Sequence, residues 1–203
     1  MDLDDALAEL VAHSGDRLLR VAYQLTHDRV AAQEEPAKPL VVVMGVSGAG
    51  KSTVGEGLAK VLGVPFLDAD QLHPQANIDK MASGIALGDA DRWPWLAAVG
   101  RELATRQPVG CVVACSALRR VYRDVIREHA PTVTFLHLEG SAEILRSRMQ
   151  GRFDHFMPPS LLESQLACLE PLEPGERGGA VNIDGSIDRV ISTAAILVHR
   201  THC

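Results

Sequence analysis

The sequence predicts a three-layer α/β/α domain on a five-stranded parallel sheet, and three observations carry the prediction. From Leu40 onward, short apolar runs alternate with longer amphipathic ones, the pattern of strands joined by crossover helices. The apolar runs are rich in valine, leucine and isoleucine, as strands covered on both faces are. Between the first run and the first long helix lies a glycine-rich turn that ends in a lysine.

Taken in order, the elements begin with an appendage. Leu7, Leu10 and Val11, then Leu18, Leu19, Val21, Ala22 and Leu25, recur at helical spacing around an interruption at His13 to Asp16, which predicts two short helices. The run QEEPAKP, Gln33 to Pro39, is charged and carries two prolines, and so reads as a linker. Residues 1–38 are thus a helical appendage with its linker, too small for a core of its own, and 39–203 the main domain. Strands are expected at Leu40–Met44, Val64–Leu67, Gly110–Ala114, Val133–Leu138 and Ala180–Ile183. Helices are expected after Lys51 and over Gln75–Ala82, Pro94–Arg106, Leu118–His129, Ala142–Met149, Ser160–Cys168 and Ile187–Val198.

Composition excludes several classes. The chain has 203 residues, 46% hydrophobic and 23% charged, which is ordinary globular make-up. A net charge of -6 gives no general grip on a polyphosphate backbone, so nucleic acid is not the expected ligand. No apolar run reaches the roughly 20 residues of a membrane helix and the N-terminus opens with acids, so a cytoplasmic protein with no membrane partner is expected. Cys111, Cys115, Cys168 and Cys203 are too scattered for a disulfide scaffold and form no CxxC pair. Even spacing puts Cys111 and Cys115 on one strand face, as buried, reduced thiols.

The turn reads Gly45-Val46-Ser47-Gly48-Ala49-Gly50-Lys51-Ser52, which satisfies GxxxxGK[ST] at every fixed position. On a strand-to-helix turn this is the phosphate loop of P-loop NTPases. Glycines let successive N–H groups turn inward, and the following helix adds its positive end, so an ATP polyphosphate is solvated by fixed dipoles. Lys51 is expected to reach the β- and γ-phosphates, Ser52 to place its hydroxyl on Mg²⁺, and Thr53 to add a contact. The loop does not name the acceptor, because water, a hydroxyl or a phosphate can attack the same γ-phosphoryl group.

The acceptor side begins where the second strand ends, Phe66-Leu67-Asp68-Ala69-Asp70. Period-two geometry sends both carboxylates to one side at the mouth of the sheet, placed to order magnesium-bound water or to take a proton from an attacking hydroxyl. The third strand runs into Cys115-Ser116-Ala117 without the aspartate that usually closes a Walker B strand, so Asp68 or Asp70 supplies that carboxylate. From Gln71 to Arg92 the only cations are Lys80 and Arg92, beside three aspartates. That balance suits a mono-anionic acceptor better than a nucleotide's phosphate. Trp93 and Trp95 flank a proline and are read as packing between this segment and the main body.

GVSGAGKST, FLDADQLHP, NIDKMASGIAL, DRWPWL, ACSALRRVYRDVIR and HFMPPSLLESQLACLEP follow one another in an order that resembles the gluconokinases, from about Leu40 to the C-terminus. Members of that family resemble nucleoside monophosphate kinases and shikimate kinases in fold. The resemblance implies ATP- and Mg²⁺-dependent phosphorylation of D-gluconate to 6-phospho-D-gluconate by a homodimer, with a substrate segment over about 71–95 and a lid over about 146–170. It implies that Asp70 meets the attacking hydroxyl while Asp68 stays near the metal's water shell. His73, Asn77 and Lys80 would line the sugar-acid pocket, and Arg123 and Arg120 would approach its carboxylate. Arg146, Arg148 and Arg152 precede His155 in the lid, and Arg148 and Arg152 are the arginines assigned to catalysis. His155 is read as a packing or hinge residue, and Asp89 and Arg92 as bracing each other. Separately, GDRLLRVAYQLTHDRVAAQ, within residues 1–33, resembles the opening of the conserved helical region of extracytoplasmic-function sigma factors.

Two rival readings accompany this one. The first is a shikimate-like or other small-molecule kinase on the same scaffold. The second is a nucleotide-sensing regulator whose N-terminal fragment contacts transcription machinery; the fragment's truncation and the intact acceptor motifs weigh against it.

Overall fold

The order of the strands in space follows from which runs are apolar on both sides. The structure, a computed structural model, describes residues 38–150 and 159–202. All of these fall within one compact unit, Ala37–Cys203. The predicted appendage up to residue 37, and the lid tip with Arg152 and His155, lie outside the described residues. Five strands, β1 (Leu40–Met44), β2 (Phe66–Asp68), β3 (Cys111–Ala114), β4 (Thr134–Glu139) and β5 (Gly178–Asn182), form one sheet in the order β2-β3-β1-β4-β5. Every pairing is parallel, with Val42 opposite Val113 on one side and Phe135 on the other.

The central strand explains the layering. Val41 and Val43 enter one core cluster and Leu40, Val42 and Met44 the other, each 0–1% exposed. The first cluster is covered by α1 (Lys51–Leu62) and α7 (Ile187–His202), the second by α3 (Asp89–Thr105) and α4 (Arg120–His129). The segments that lead from β2 toward α2 (Gln75–Ala82) and from β4 into α5 (Ala142–Gln150) leave from the carboxyl ends of the strands, where open α/β sheets bind ligands, and α6 (Pro159–Cys168) reaches that end through Gln165. Cys111 and Cys115 are buried in the same cluster, and burial pushes their thiols up to about 11 and about 12, so both stay protonated.

The strand boundaries shift for local reasons. Val64 is not in β2, because its N–H closes α1 on the Ala59 carbonyl (3.1 Å), behind Gly63 in the left-handed conformation. β3 starts one residue late because Gly110 has φ +72, and a Cβ there would meet Val64 at 2.8 Å. β4 likewise starts at Thr134, since the Val133 N–H turns back to the Ala130 carbonyl. β5 starts two residues early, at Gly178, and Ile183 lies beyond its end. α3 starts at Asp89, five residues before Pro94, because Asp91 accepts the Gly88 N–H (2.9 Å) and caps the first turn.

Candidate active site

The phosphate loop sits at the carboxyl end of β1. Gly50 has φ +89 and starts α1, so the chain turns from strand to helix without a side chain in the anion's path. Lys51 Nζ donates to the Val46 carbonyl (3.1 Å), folding the lysine back across the loop. Thr53 is exposed on the first turn of α1. The Gly45 N–H donates to the Ser116 carbonyl (3.3 Å), which ties the loop to the turn after β3.

Asp68 ends β2 and does two things. Its Oδ2 accepts the Ser52 hydroxyl at 3.0 Å, and its Oδ1 accepts the Asp70 N–H at 3.1 Å. The second bond caps a 3₁₀ turn, Ala69–Leu72, so Asp70 does not continue the strand as period-two geometry predicts. The Asp70 side chain is 84% exposed, with only its inner side desolvated by the neighbouring protein. That desolvation, and then the Asp68 carboxylate beside it, raise its pKa above the ordinary aspartate value against the pull of His73 and Lys51.

His73 is the neighbour that orders this corner. Its ring stacks on Trp95 at 4.2 Å between centroids, and the Trp95 indole donates to the Ala69 carbonyl at 2.7 Å. Asn77, buried on α2, donates its amide hydrogens to the Asp91 carbonyl (2.8 Å) and to His73 Nδ1 (3.3 Å). An accepting Nδ1 leaves the proton on Nε2, which lies 3.9 Å from Asp70 Oδ1. Burial lowers the His73 pKa despite Asp70, so the imidazole is held neutral with a donor toward the carboxylate. Trp95 thus belongs to the corner of the site as well as to the packing.

The predicted cations divide. Lys80 pairs with Asp91 at 2.7 Å, so its charge is already answered within the substrate segment. Arg120 pairs with Asp124 (3.2 Å) and Glu173 (2.6 Å) on the outer side of α4. Arg123 is a correction to the expectation that it meets a substrate carboxylate: its side chain is 0% exposed and holds both Glu176 oxygens at 2.7 Å. Its remaining donors reach the carbonyls of Ala117, Leu118, Glu170 and Pro171. Burial alone would raise the Glu176 pKa, but hydrogen bonds from Arg123, the Glu173 N–H and Arg127 hold it down at about 2. Ala117, with φ +40, is the non-glycine residue held in the left-handed region among the described residues, and its carbonyl is one of those Arg123 holds. Arg123 therefore supports the turn on which Gly45 rests.

Asp89 and Arg92 do approach each other, at 3.7 Å, but Asp89 is held more closely by the Tyr122 hydroxyl (2.6 Å) and Arg119 (2.8 Å). Arg92 and Arg119 both lie within 6 Å of the Tyr122 ring centre. Arg119, at the start of α4, carries no sequence signal that separates it from Arg120, Arg123 and Arg127.

On the other flank of β1 the chain leaves a cavity of about 520 Å³, bounded by Val46, the β4–α5 turn, Leu166 and the residues after β5. Its size suits a small ligand. His137 lines it, with burial lowering its pKa against the nearby Glu139. Arg148 stands at this rim: it donates to the Ile183 carbonyl (2.8 Å), and its Nη1 lies 3.9 Å from where a Gly50 Cβ would be. Arg146 faces away, to Glu163 at 3.2 Å.

The oxygens of Ser52 and Asp68 are hard donors on one side of the loop, the kind Mg²⁺ accepts. Among the described residues no three His, Cys, Asp or Glu side chains converge to hold a metal. Mg²⁺ suits such a sparse site, because it keeps water and phosphate oxygens as ligands.

A site so built is that of a nucleotide-dependent kinase, and comparison with known proteins agrees. The shikimate kinase family model matches residues 47–165. The chain is 47% identical over 147 residues to the gluconokinase of Gluconobacter oxydans (strain 621H), covering 71% of this chain and 82% of that protein. It is 44% identical over 156 residues to the gluconokinase of Arabidopsis thaliana, covering 70% and 82%. The crystal structure of a gluconokinase from Sinorhizobium meliloti 1021 superposes with a TM-score of 0.74 at 47% identity, covering 82% of this chain and 94% of that one.

Proposed function

The chain belongs to the gluconokinase family, and on that premise we propose that it transfers the γ-phosphoryl group of ATP to the 6-hydroxyl of D-gluconate. The observation that carries the reading is the Ser52–Asp68–Asp70 relay, which joins the phosphate loop to the acceptor corner through bonds of 3.0 and 3.1 Å. Donor and acceptor ends of the cleft are thereby held in one frame, which is what in-line transfer requires.

Each group has a task. The loop amides and Lys51 hold the polyphosphate, Lys51 leaving the Val46 carbonyl to do so. Asp70 accepts the hydroxyl proton as the new bond forms, and its raised pKa makes it a better base than an ordinary aspartate. Neutral His73 presents its Nε2–H on the side of that carboxylate, 3.9 Å away. Arg92 and Arg119, held by Tyr122 and Asp89 beside the substrate segment, are the cations nearest to hand for the acceptor's carboxylate, in place of Arg123. Arg148 serves the nucleotide on the cavity side, and Arg152, outside the described residues, is assigned to the same transfer. Ser52 and Asp68 would hold Mg²⁺, which when bound would offset negative charge on the polyphosphate.

Residues 39–203 carry the activity in this reading, and the protein works in the cytoplasm as a homodimer. Among the described residues no helix is long and apolar enough to cross a membrane. Light scattering on the purified chain checks the dimer, and a chain starting at residue 39 checks the domain assignment. The test of function is ADP release with gluconate, shikimate and nucleoside monophosphates offered in parallel. Gluconate is expected to dominate; preference for shikimate or a nucleotide would overturn the assignment of the acceptor.

A further inference from the structure

Gln165 of α6 reaches across 118 positions of sequence to the phosphate loop, where its Oε1 accepts the Ser47 N–H at 2.7 Å. That bond settles which way the carboxamide points. An N–H must face the oxygen, so the amide –NH₂ is the opposite end. Among the described residues this –NH₂ makes no hydrogen bond. Lys51 Nζ meanwhile holds the Val46 carbonyl at 3.1 Å. The Val46 carbonyl and the Ser47 N–H belong to one peptide unit, so Lys51 and Gln165 grip opposite edges of the same plane.

The helix beneath Gln165 is anchored to the main body at two points. Leu162 is buried, with Leu166 and Leu169 partly so, in the cluster that contains Val46 of the loop. Just past α6, the Glu170 N–H donates to the Leu118 carbonyl at 2.8 Å, and the Glu170 carbonyl accepts from Arg123. Anchored through Leu162 and at Glu170, α6 presents Gln165 to the phosphate loop.

We propose that Gln165 donates its –NH₂ to the terminal phosphate of ATP, with the Ser47 N–H holding the carboxamide in that orientation. The inner phosphates are already enclosed by the loop amides and the α1 N-terminus, so an uncharged donor pair at the loop's edge has the outermost phosphate to serve. When Lys51 turns to the polyphosphate, Gln165 remains as the group holding the Val46–Ser47 peptide. The inference rests on the kinase reading of the cleft.

Two variants and two nucleotides test it. Gln165→Ala removes both ends of the carboxamide; Gln165→Glu keeps an acceptor for Ser47 and replaces the donors with an anion. Calorimetric affinities for ADP and for a non-hydrolysable ATP analogue are compared on the full chain, with melting temperatures confirming the fold. The analogue is expected to bind about 10-fold more weakly to the alanine variant and about 100-fold more weakly to the glutamate variant, with ADP changed less than about 3-fold. Equal losses for both nucleotides would reduce Gln165 to a prop for the loop and overturn the proposal. So would tighter binding by the alanine variant, which would make it a plug. Gluconate turnover by the wild type is a separate readout, so its absence would overturn the acceptor assignment and leave these affinity ratios decisive for Gln165.

Discussion

Two arginines of this molecule, Arg123 on α4 against the segment before β5 and Arg148 at the rim of the phosphate loop, differ in what they already hold. Arg123 is sealed from solvent, with every donor answered by Glu176 or a carbonyl. Arg148 is exposed and, among the described residues, donates only to the Ile183 carbonyl, beside Gly50. The same side chain is architecture in one place and an available anion ligand in the other. What separates them is how far the fold has saturated the guanidinium, a property of distant partners and not of the motif around it.

If this distinction holds, changes at the rim alter turnover and leave stability alone, and changes at the α4 clamp do the reverse. The largest effect is expected from Lys51→Ala, which should lower kcat by about 10³-fold or more, with the melting temperature unchanged. Next, Asp70→Asn should lower kcat about 10²- to 10⁴-fold. Its melting temperature at pH 7 should not fall: a carboxyl whose pKa is raised by folding destabilises the native state once ionised, and asparagine removes that penalty. A clear fall in melting temperature for either variant would blur the two regions.

Glu176→Ala breaks the clamp instead. It leaves Arg123 buried without its counter-charge and should destabilise by about 3–5 kcal/mol in denaturant titration, with kcat within a few-fold while the chain stays folded. Acid should reveal the same pair. Folding lowers the Glu176 pKa from 4.5 to about 2, so its contribution is whole above pH 5 and is lost as pH falls toward 2, about 3 kcal/mol in all. Activity should fail earlier in the same titration, as Asp70 with its raised pKa takes up its proton before Glu176 does. The smallest effect is expected at the rim, where Arg148→Met should raise KM for ATP about 10-fold without shifting the melting temperature.

How much of this is legible without coordinates depends on how local each interaction is. The phosphate loop is a run of contiguous residues whose spacing dictates its geometry, and the strand β1 announces itself by being apolar throughout. Asp68 is placed by the end of β2, but Asp70 is moved by a cap that the strand's alternation does not foresee. The clamp joins Arg123 to a glutamate 53 residues away, and the three arginines of its helix look alike until that partner is in place. Gln165 lies 118 residues from Ser47 and carries no charge to mark it. The boundary errors have a similar origin: Val64 and Gly110 are apolar or small enough for a strand but are claimed by a helix cap and a left-handed turn.

The most direct measurement follows phosphorus by NMR while the full-length protein meets ATP, Mg²⁺ and D-gluconate. Loss of the γ-phosphate resonance is expected in step with equal amounts of ADP and of a sugar-acid monophosphate ester at carbon 6, with no change for the Lys51→Ala protein. Inorganic phosphate as the sole product, or an ester formed equally well by the Lys51→Ala protein, would contradict it.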